Sequence, residues 1–395
     1  MRKILFIYTD KFKIHDIAWA FLELNYEMKF FDREFFTYQK EQTENAELLR
    51  KELKENAYWF VLSYNFVLPI SEICTELEIP YVCWTFDSPT LPLHTEQIKS
   101  PYNFAYIFDS EEYNLLKNNL NPPHIYYMPL AANASKLGGT IIEDADIERF
   151  SSDVSFVGNL YNYDEYYEIE KINTLPNAIR DYINYLFDYY TGRWNSESIY
   201  DCFNDEICEH FNHFLPEGYR NKYLIPDNYY YAMILISRRI ANRDRMFMLE
   251  HLSHCFDVTL YGPKQELPFY IRQRGEVRYN EEFAKVANLS KINLHVTIPR
   301  IATGISQRCF DVMGSCGFLM ANYRADMVRH FEPDRDFVMY TSIEELEDKI
   351  RYYLQHDDER MQIARNGYQN VLENHTIIHR AKEMIQNLEK AGFPL

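Results

Sequence analysis

Residues 290–323, SKINLHVTIPRIATGISQRCFDVMGSCGFLMANY, set a cation and a carboxylate three positions apart beside a glycine-bearing loop. The cation, Arg308, has the planar fork of donors that holds phosphate oxygens in pairs. The carboxylate, Asp311, can accept hydrogen bonds from ribose hydroxyls. Gly304 and Ile305 offer backbone N–H groups where a phosphate could sit, and Thr303 shares their loop. By spacing alone, an ion pair on one helix face fits Arg308 and Asp311 at least as well. Further candidates stand after other apolar runs. Gly158-Asn159 follows the run 154–157, and the run 257–261 ends in Tyr261-Gly262. Arg238, Arg239 and Arg243 share one helical stretch with Arg245. Neighbours on a helix point apart, so one or two of them can serve a ligand, and each alone also reads as a solvated face. Arg243 is the one kept as a phosphate-side candidate.

These groups need elements to position them. The apolar run 292–298 ends at Pro299, which a central strand interior does not tolerate. Ser306 can cap a short helix, Gly317 closes it, and 318–321 reads as the next buried strand. Strand, loop, helix and strand make a βαβ unit. The first 130 residues alternate in the same way, with strands expected at 3–8, 28–32, 59–63, 81–86, 106–108 and 125–128 and helices at 16–24, 44–55 and 70–77. This is the pattern of an α/β chain with a parallel, doubly wound sheet, where ligands bind beyond the carboxyl ends of strands. Loops 9–15, 87–94 and 109–112 are therefore the ones that matter in this half.

Residues 131–152 are polar and read as a linker, after which 154–157 starts a second sheet. Residues 161–235 are tyrosine-rich and acidic and read as a helical insertion. Its tyrosines (161, 163, 166, 167, 182, 185, 189 and 190) favour packing within it over a ligand platform. A helix over 236–254, strands at 257–261, 276–279 and 337–340, and helices at 342–354, 357–373 and 376–391 complete the reading, with Glu345 at a capping-box distance from Ser342. The expected domains are 1–132, a linker 133–152, and 153–373 with the insertion 161–235. A final helix, 374–395, packs back on the first domain.

The 395 residues exceed one ordinary core, and 47% apolar with 16% aromatic residues excludes disorder. No run approaches the roughly 18 apolar residues of a membrane span, and MRKILFIYTD lacks the shape of a signal peptide. Seven cysteines without a CxxC spacing suggest reduced thiols in a cytoplasmic protein. A net charge of −18 argues against nucleic acid and against anionic lipid as partners. The DxD triplets Asp144-Ala145-Asp146 and Asp334-Arg335-Asp336 stand away from strong strands and read as solvated charge. No spacing of His, Glu or Cys suggests a catalytic metal.

Two Rossmann-like halves with a helical tail resemble the GT-B glycosyltransferases. The second half is similar to the CgeB-like, spore-maturation branch of the glycosyltransferase group 1 set. The resemblance is carried by KINLHVT (291–297), GISQRCFDVMGSCGFLMANY (304–323), FEPDRDFVMYTSIEELEDKIRYYL (331–354) and ERMQIARNGYQNVLENHTIIHR (359–380). In the first half YVCWTFDSP (81–89) and HIYYMPLAAN (124–133) carry it, and only 161–235 falls outside. The resemblance implies two domains around a deep cleft, with a nucleotide-sugar donor on the second and a hydroxyl acceptor on the first. It implies a metal-independent hexosyltransferase with no cofactor, using a UDP-sugar such as UDP-GlcNAc or UDP-glucose. A Ser/Thr of a spore-coat or flagellar protein, or a surface glycan, would be the acceptor.

By position Asp311 matches the family's ribose-binding acid. Many retaining members carry a glutamate eight positions earlier, where this chain has Thr303, so the two-glutamate signature of retention is absent. Gly158, Asn159, Arg243, Tyr261, Gly262, Thr303, Gly304, Ile305, Arg308 and Asp311 form the expected donor side. For a base the first half offers Asp87, after a strand and braced by Pro89, and then His15, in the loop after the first strand. Asp87 equally suits a turn ahead of Ser-Pro, and Asp16 beside His15 a helix cap. A nucleotide-sugar epimerase of the same fold and a non-catalytic scaffold binding a partner through 161–235 are the rival readings. A homodimer through the insertion is left open.

Overall fold

The computed structural model of the chain describes residues 2–7, 14–31, 42–161, 172–195, 198–212 and 222–393. The chain forms two units: one of Met1–Ala131 with Gly218–Ile225 and His375–Leu395, the other of Ala132–Glu217 and Pro226–Asn374.

The first unit is a six-stranded sheet of β1 (Lys3–Ile7), β2 (Glu27–Phe31), β3 (Phe60–Tyr64), β4 (Tyr81–Trp84), β5 (Asn103–Ile107) and β6 (Ile125–Tyr127), in the order β2-β1-β3-β4-β5-β6. Every pairing is parallel. Helices cover both faces, so β3, β4 and β5 are buried at every residue and read as unbroken apolar runs, without alternation. The order reverses across β1, which opens a crevice at the carboxyl ends of β1 and β3. The Ile377–Lys390 helix packs on Ile14–Glu23. Arg380 fastens it, donating through Nε to the Pro129 carbonyl at 2.8 Å and through Nη2 to the Leu130 carbonyl at 3.1 Å.

The second sheet comprises β7 (Ser152–Val157), β8 (Val258–Tyr261), β9 (Arg272–Gln273), β10 (Ser290–His295), β11 (Leu319–Asn322) and β12 (Val338–Tyr340), all parallel. Its order, β12-β11-β10-β7-β8-β9, reverses between β7 and β10. Phe156, Leu294, Met320 and Tyr340 form its core with Met248, Leu249 and Leu252 of the Ser237–Ser253 helix. The described part of the insertion is helical over Asn177–Tyr190, Asp205–Phe211 and Asp227–Tyr230. It continues through a π-helical stretch, Tyr231–Ile236, directly into Ser237–Ser253. Trp194 anchors it to the sheet, its ring edge-on to Tyr340 at 5.0 Å and its backbone N–H donating to the Thr341 carbonyl at 2.8 Å. No helix among the described residues is long and apolar enough to cross a membrane.

Several local expectations are corrected. The strand expected at 276–279 lies at Arg272–Gln273, because Gly275 takes φ +82° and turns the chain out of the sheet. The stretch 133–152 holds two short helices, Ala134–Gly138 and Asp144–Phe150. Ser306 occupies the N-cap position of Gln307–Gly314, but its side chain makes no cap bond. Cys316, at φ +57°, ends that helix in place of Gly317. At Ser342 half of the capping box forms: its hydroxyl accepts from the Glu345 N–H at 3.3 Å, while Glu345 reaches Thr341 instead. Of the DxD acids, Asp144 and Asp334 are exposed, as expected, while Asp146 and Asp336 are buried and structural. Asp146 accepts from the Glu143 N–H at 3.0 Å and pairs with Lys285 at 2.7 Å. Asp336 is 2% exposed and accepts from the Glu332 N–H and Asn370.

Gly317 is required for close approach: a Cβ there would meet the Ala287 carbonyl oxygen at 2.6 Å and the Asn293 amide at 3.0 Å. Both neighbours are held, since Asn293 Nδ2 donates to that same carbonyl at 2.7 Å. Gly317→Ala is expected to lower stability by about 1–3 kcal/mol, read as a lower urea midpoint with an unchanged slope.

Candidate functional site

The carboxyl ends of β7, β10 and β11 gather three arginines from three elements. Arg245 comes from the Ser237–Ser253 helix, Arg308 from the first turn of Gln307–Gly314, and Arg324 from the residue before Ala325–His330. Main-chain carbonyls hold two of them. Arg245 donates to the Asn159 carbonyl and, through Nη2, to the Val296 carbonyl at 3.1 Å. Arg324 donates to the carbonyls of Tyr323 at 3.0 Å and Thr297 at 3.1 Å. A carbonyl orients a guanidinium without neutralising it. Arg308 lies over the Phe283 ring, 4.3 Å from its centre. No carboxylate forms an ion pair with Arg245 or Arg308 among the described residues, so the Arg308–Asp311 pair that spacing allowed does not form.

The charge of this cluster is written on its neighbours. His295, at the end of β10, is 7% exposed, and burial drives its imidazole well below the usual range, helped by Arg245, Arg308 and Arg324. It is neutral, with Nε2 3.3 Å from the Thr297 hydroxyl. Burial likewise lowers Arg245 and Arg308, the latter opposed by Asp311. Asp244 is pushed up to about 7, mainly by burial, although it accepts from the Gly192 N–H at 2.8 Å. The arrangement is a cationic cradle at a strand-order reversal, the place where doubly wound sheets take anionic ligands.

Asp311, one turn along the helix from Arg308, is 2% exposed. Its Oδ1 accepts from the Tyr279 phenol and from Gln307 Nε2, each at 2.8 Å. Thr303 donates to Asp326 at 3.3 Å and accepts the Asp326 N–H at 3.0 Å, while Gly304 and Ile305 are buried beside it. Gly158 and Gly262 serve each other: a Cβ on Gly262 would stand 2.4 Å from the Gly158 carbonyl oxygen. Asn159 contributes its carbonyl to Arg245, and its side chain accepts from the Tyr161 N–H at 2.6 Å. Arg243 belongs elsewhere, paired with Asp188 of the Asn177–Tyr190 helix. Tyr261 is also turned away; its ring is buried on the face under the Asp144–Phe150 helix, and its O–H donates to the Phe150 carbonyl at 3.2 Å.

In the first unit Asp87 is exposed after β4 and held from behind by Asn65. Asn65 Oδ1 accepts the N–H groups of Phe86 and Asp87 at 2.8 and 3.1 Å, and Nδ2 donates to Asp87 Oδ2 at 2.9 Å. The loop beyond is pinned by two buried acids at the start of the Ser110–Asn119 helix. Ser88 donates to Asp109 at 2.9 Å, the Thr90 N–H donates to Glu112 Oε1 at 2.6 Å, and His94 Nε2 lies 3.3 Å from the same oxygen. Loops 87–94 and 109–112 thus form one hydrogen-bonded block. His15 stands in the first turn of the Ile14–Glu23 helix, not in a loop, and its side chain lies outside the described residues, as does 8–13. Asp16 is 4% exposed in that turn.

A family model described as glycosyl transferase-like matches residues 239–386, the stretch that holds Arg245, His295, Arg308, Asp311 and Arg324. No curated protein matches the chain in sequence. Solved structures match nearly its full length. HepE from Anabaena, in complex with UDP and glucose, is 10% identical, with 98% of this chain and 100% of that one covered and a TM-score of 0.55. Sucrose-phosphate synthase from Thermosynechococcus elongatus is 8% identical, with 99% and 100% covered and a TM-score of 0.58. A glycosyltransferase from Rickettsia africae is 10% identical, with 98% of each chain covered and a TM-score of 0.56. At these identities the likeness is one of fold, and the fold is GT-B.

Asp244 gives a pH dependence that isolates this cluster. Its folded value of about 7 lies above its ordinary 3.8, so the folded chain keeps a proton that the unfolded chain loses, and stability falls as pH rises through that window. Asp244→Asn removes the ionisation. In urea titrations from about pH 4.5 to about pH 7.5 the variant is expected to lose less stability than the parent, by on the order of 2–4 kcal/mol. Equal slopes would show that Asp244 ionises in the fold as it does in water.

Proposed function

We propose that the chain is a glycosyltransferase that moves a hexosyl group from a UDP-sugar, such as UDP-glucose or UDP-GlcNAc, to a hydroxyl acceptor. The observation that carries this reading is the convergence of Arg245, Arg308 and Arg324 on a neutral His295 at the β7/β10 reversal, with Asp311 one helical turn away. HepE's complexes with UDP and with UDP-glucose, and the glycosyl transferase-like match over the same stretch, support it. The GT-B fold alone would serve other chemistries; the cationic cradle selects a diphosphate ligand.

In this reading the guanidiniums take up the charge that develops on the departing nucleoside diphosphate as the sugar–oxygen bond breaks. They are fixed beforehand by carbonyls and a ring face, so little reorganisation accompanies the step, and no metal is required. Asp311 accepts from the ribose hydroxyls, which replace the Tyr279 phenol on its Oδ1. Asp87, exposed and braced by Asn65, takes the proton of the acceptor hydroxyl. The resemblance to the CgeB-like branch favours a protein Ser/Thr or a surface glycan as that acceptor. Thr303, tied to Asp326, supplies no second carboxylate to the donor, and this favours inversion at the anomeric carbon.

Calorimetric titration with UDP tests the donor half. Arg245→Met and Arg308→Met are each expected to weaken binding roughly 10- to 100-fold, about 1.4–2.8 kcal/mol, and EDTA is expected to leave it unchanged. Parent-like affinity in both variants, or no UDP binding by the parent chain, overturns the assignment. For the acceptor half, Asp87→Asn is expected to cut kcat roughly 10²- to 10⁴-fold while donor affinity holds.

A further inference from the structure

A face of the second sheet, away from the arginine cluster, is covered by the helices Asp144–Phe150 and Phe283–Leu289. There a pocket of about 430 Å³ opens at the end of β8, a volume in the range of small-molecule sites. The strand register builds it. Parallel pairing sets Leu260 beside Gln273, so the next pair, Tyr261 and Arg274, project to the same face. Tyr261 is 1% exposed and forms the floor with Phe150. Arg274 lines the pocket with Nη1 out of solvent and without a hydrogen-bond partner. No carboxylate pairs with its guanidinium among the described residues. Arg149 stands over the Phe150 ring at 4.7 Å and is already engaged by Glu282 at 2.9 Å. Glu148 and Glu276 also line the pocket and are exposed.

A buried donor with no acceptor costs about 1–3 kcal/mol, and an oxyanion is the group that relieves it. The local field agrees: burial pushes the Tyr261 phenol up, while Arg274, Arg272 and Arg149 pull it down. The pocket therefore offers a half-buried guanidinium with Nη1 out of solvent, an aromatic floor, and two carboxylates at its edge that accept from hydroxyls.

We propose that this pocket binds a small phosphorylated polyol, a sugar phosphate, with its phosphate on Arg274 and its hydroxyls on Glu148 and Glu276. It shares no residue with the cluster of Arg245, Arg308 and Arg324, so it is a site additional to the donor site.

Thermal-shift and calorimetric titrations of the full chain with glucose 6-phosphate, inorganic phosphate and glucose test this. Glucose 6-phosphate is expected to bind saturably, at least tenfold more tightly than inorganic phosphate, and glucose not at all. Arg274→Met, which keeps the side chain's length, is expected to lose at least tenfold in affinity for glucose 6-phosphate with an unchanged response to UDP. Arg245→Met is expected to do the reverse, so the two sites fail separately. Glu276→Ala, at an exposed position, is expected to weaken glucose 6-phosphate several-fold and leave inorganic phosphate unaffected, which keeps the test valid should Arg274→Met misfold. Equal binding by the parent chain and both pocket variants, no binding by the parent, or inorganic phosphate binding as tightly as the sugar phosphate overturns the proposal.

Discussion

Much of the second unit is arranged around one electrostatic constraint: positive charge kept at the ends of β7, β10 and β11 without a matching carboxylate on Arg245 or Arg308. Such charge is tolerated because carbonyls of Asn159 and Val296 take the donors of Arg245, and the Phe283 ring takes the face of Arg308. The surroundings yield to it. His295 stays neutral, and Asp244, a buried acid within the field of Arg245 and Arg324, is itself pushed toward its protonated form. An acid held toward its protonated form cancels less of the arginines' charge, and a histidine held neutral adds none, so the field left for a ligand is that of the guanidiniums.

The first unit solves a different problem, that of holding one exposed carboxylate in place. Its answer is layered. Asn65, at φ +54°, reaches the backbone and the carboxylate of Asp87, and below it Asp109 and Glu112 tie down Ser88, Thr90 and His94. Buried acids thus act on the loop's backbone and hydroxyl groups, and the exposed acid inherits their order. This is the division of labour expected of a site built on strand ends and supported from beneath.

The sheets were legible in the sequence because buried parallel strands are continuous apolar runs, and 292–298, 318–321 and 154–157 announced themselves in that way. The place of Arg308 and Asp311 on one short helix after a glycine-bearing loop was legible too. Arg245 was passed over in favour of Arg243. The missed signal was positional: Arg245 stands in the stripe Ala241, Met248 and Leu252, where a charge has to be buried. Arg324 and His295 were missed because their partners are carbonyls, which leave no trace in side-chain spacing. Tyr279 was read as strand, and only the turn at Gly275 frees it to reach Asp311. Glu112 and His94 lay in loops marked as important, but the pairing of one loop with the other is tertiary and has no local signature.

The π-helical stretch Tyr231–Ile236 gives the architecture a phase adjuster. It carries one residue per turn more than an α-helix needs, immediately upstream of the helix bearing Arg239, Arg243 and Arg245. Removing one residue there would restore ordinary winding and change the angular phase between its two sides by roughly 100°. The downstream side is fixed, since Met248, Leu249 and Leu252 are part of the sheet's core, so the upstream side, the described part of the insertion, would swing instead. Variation in length at this stretch can therefore re-aim the insertion about the helix axis, without a substitution among the arginines.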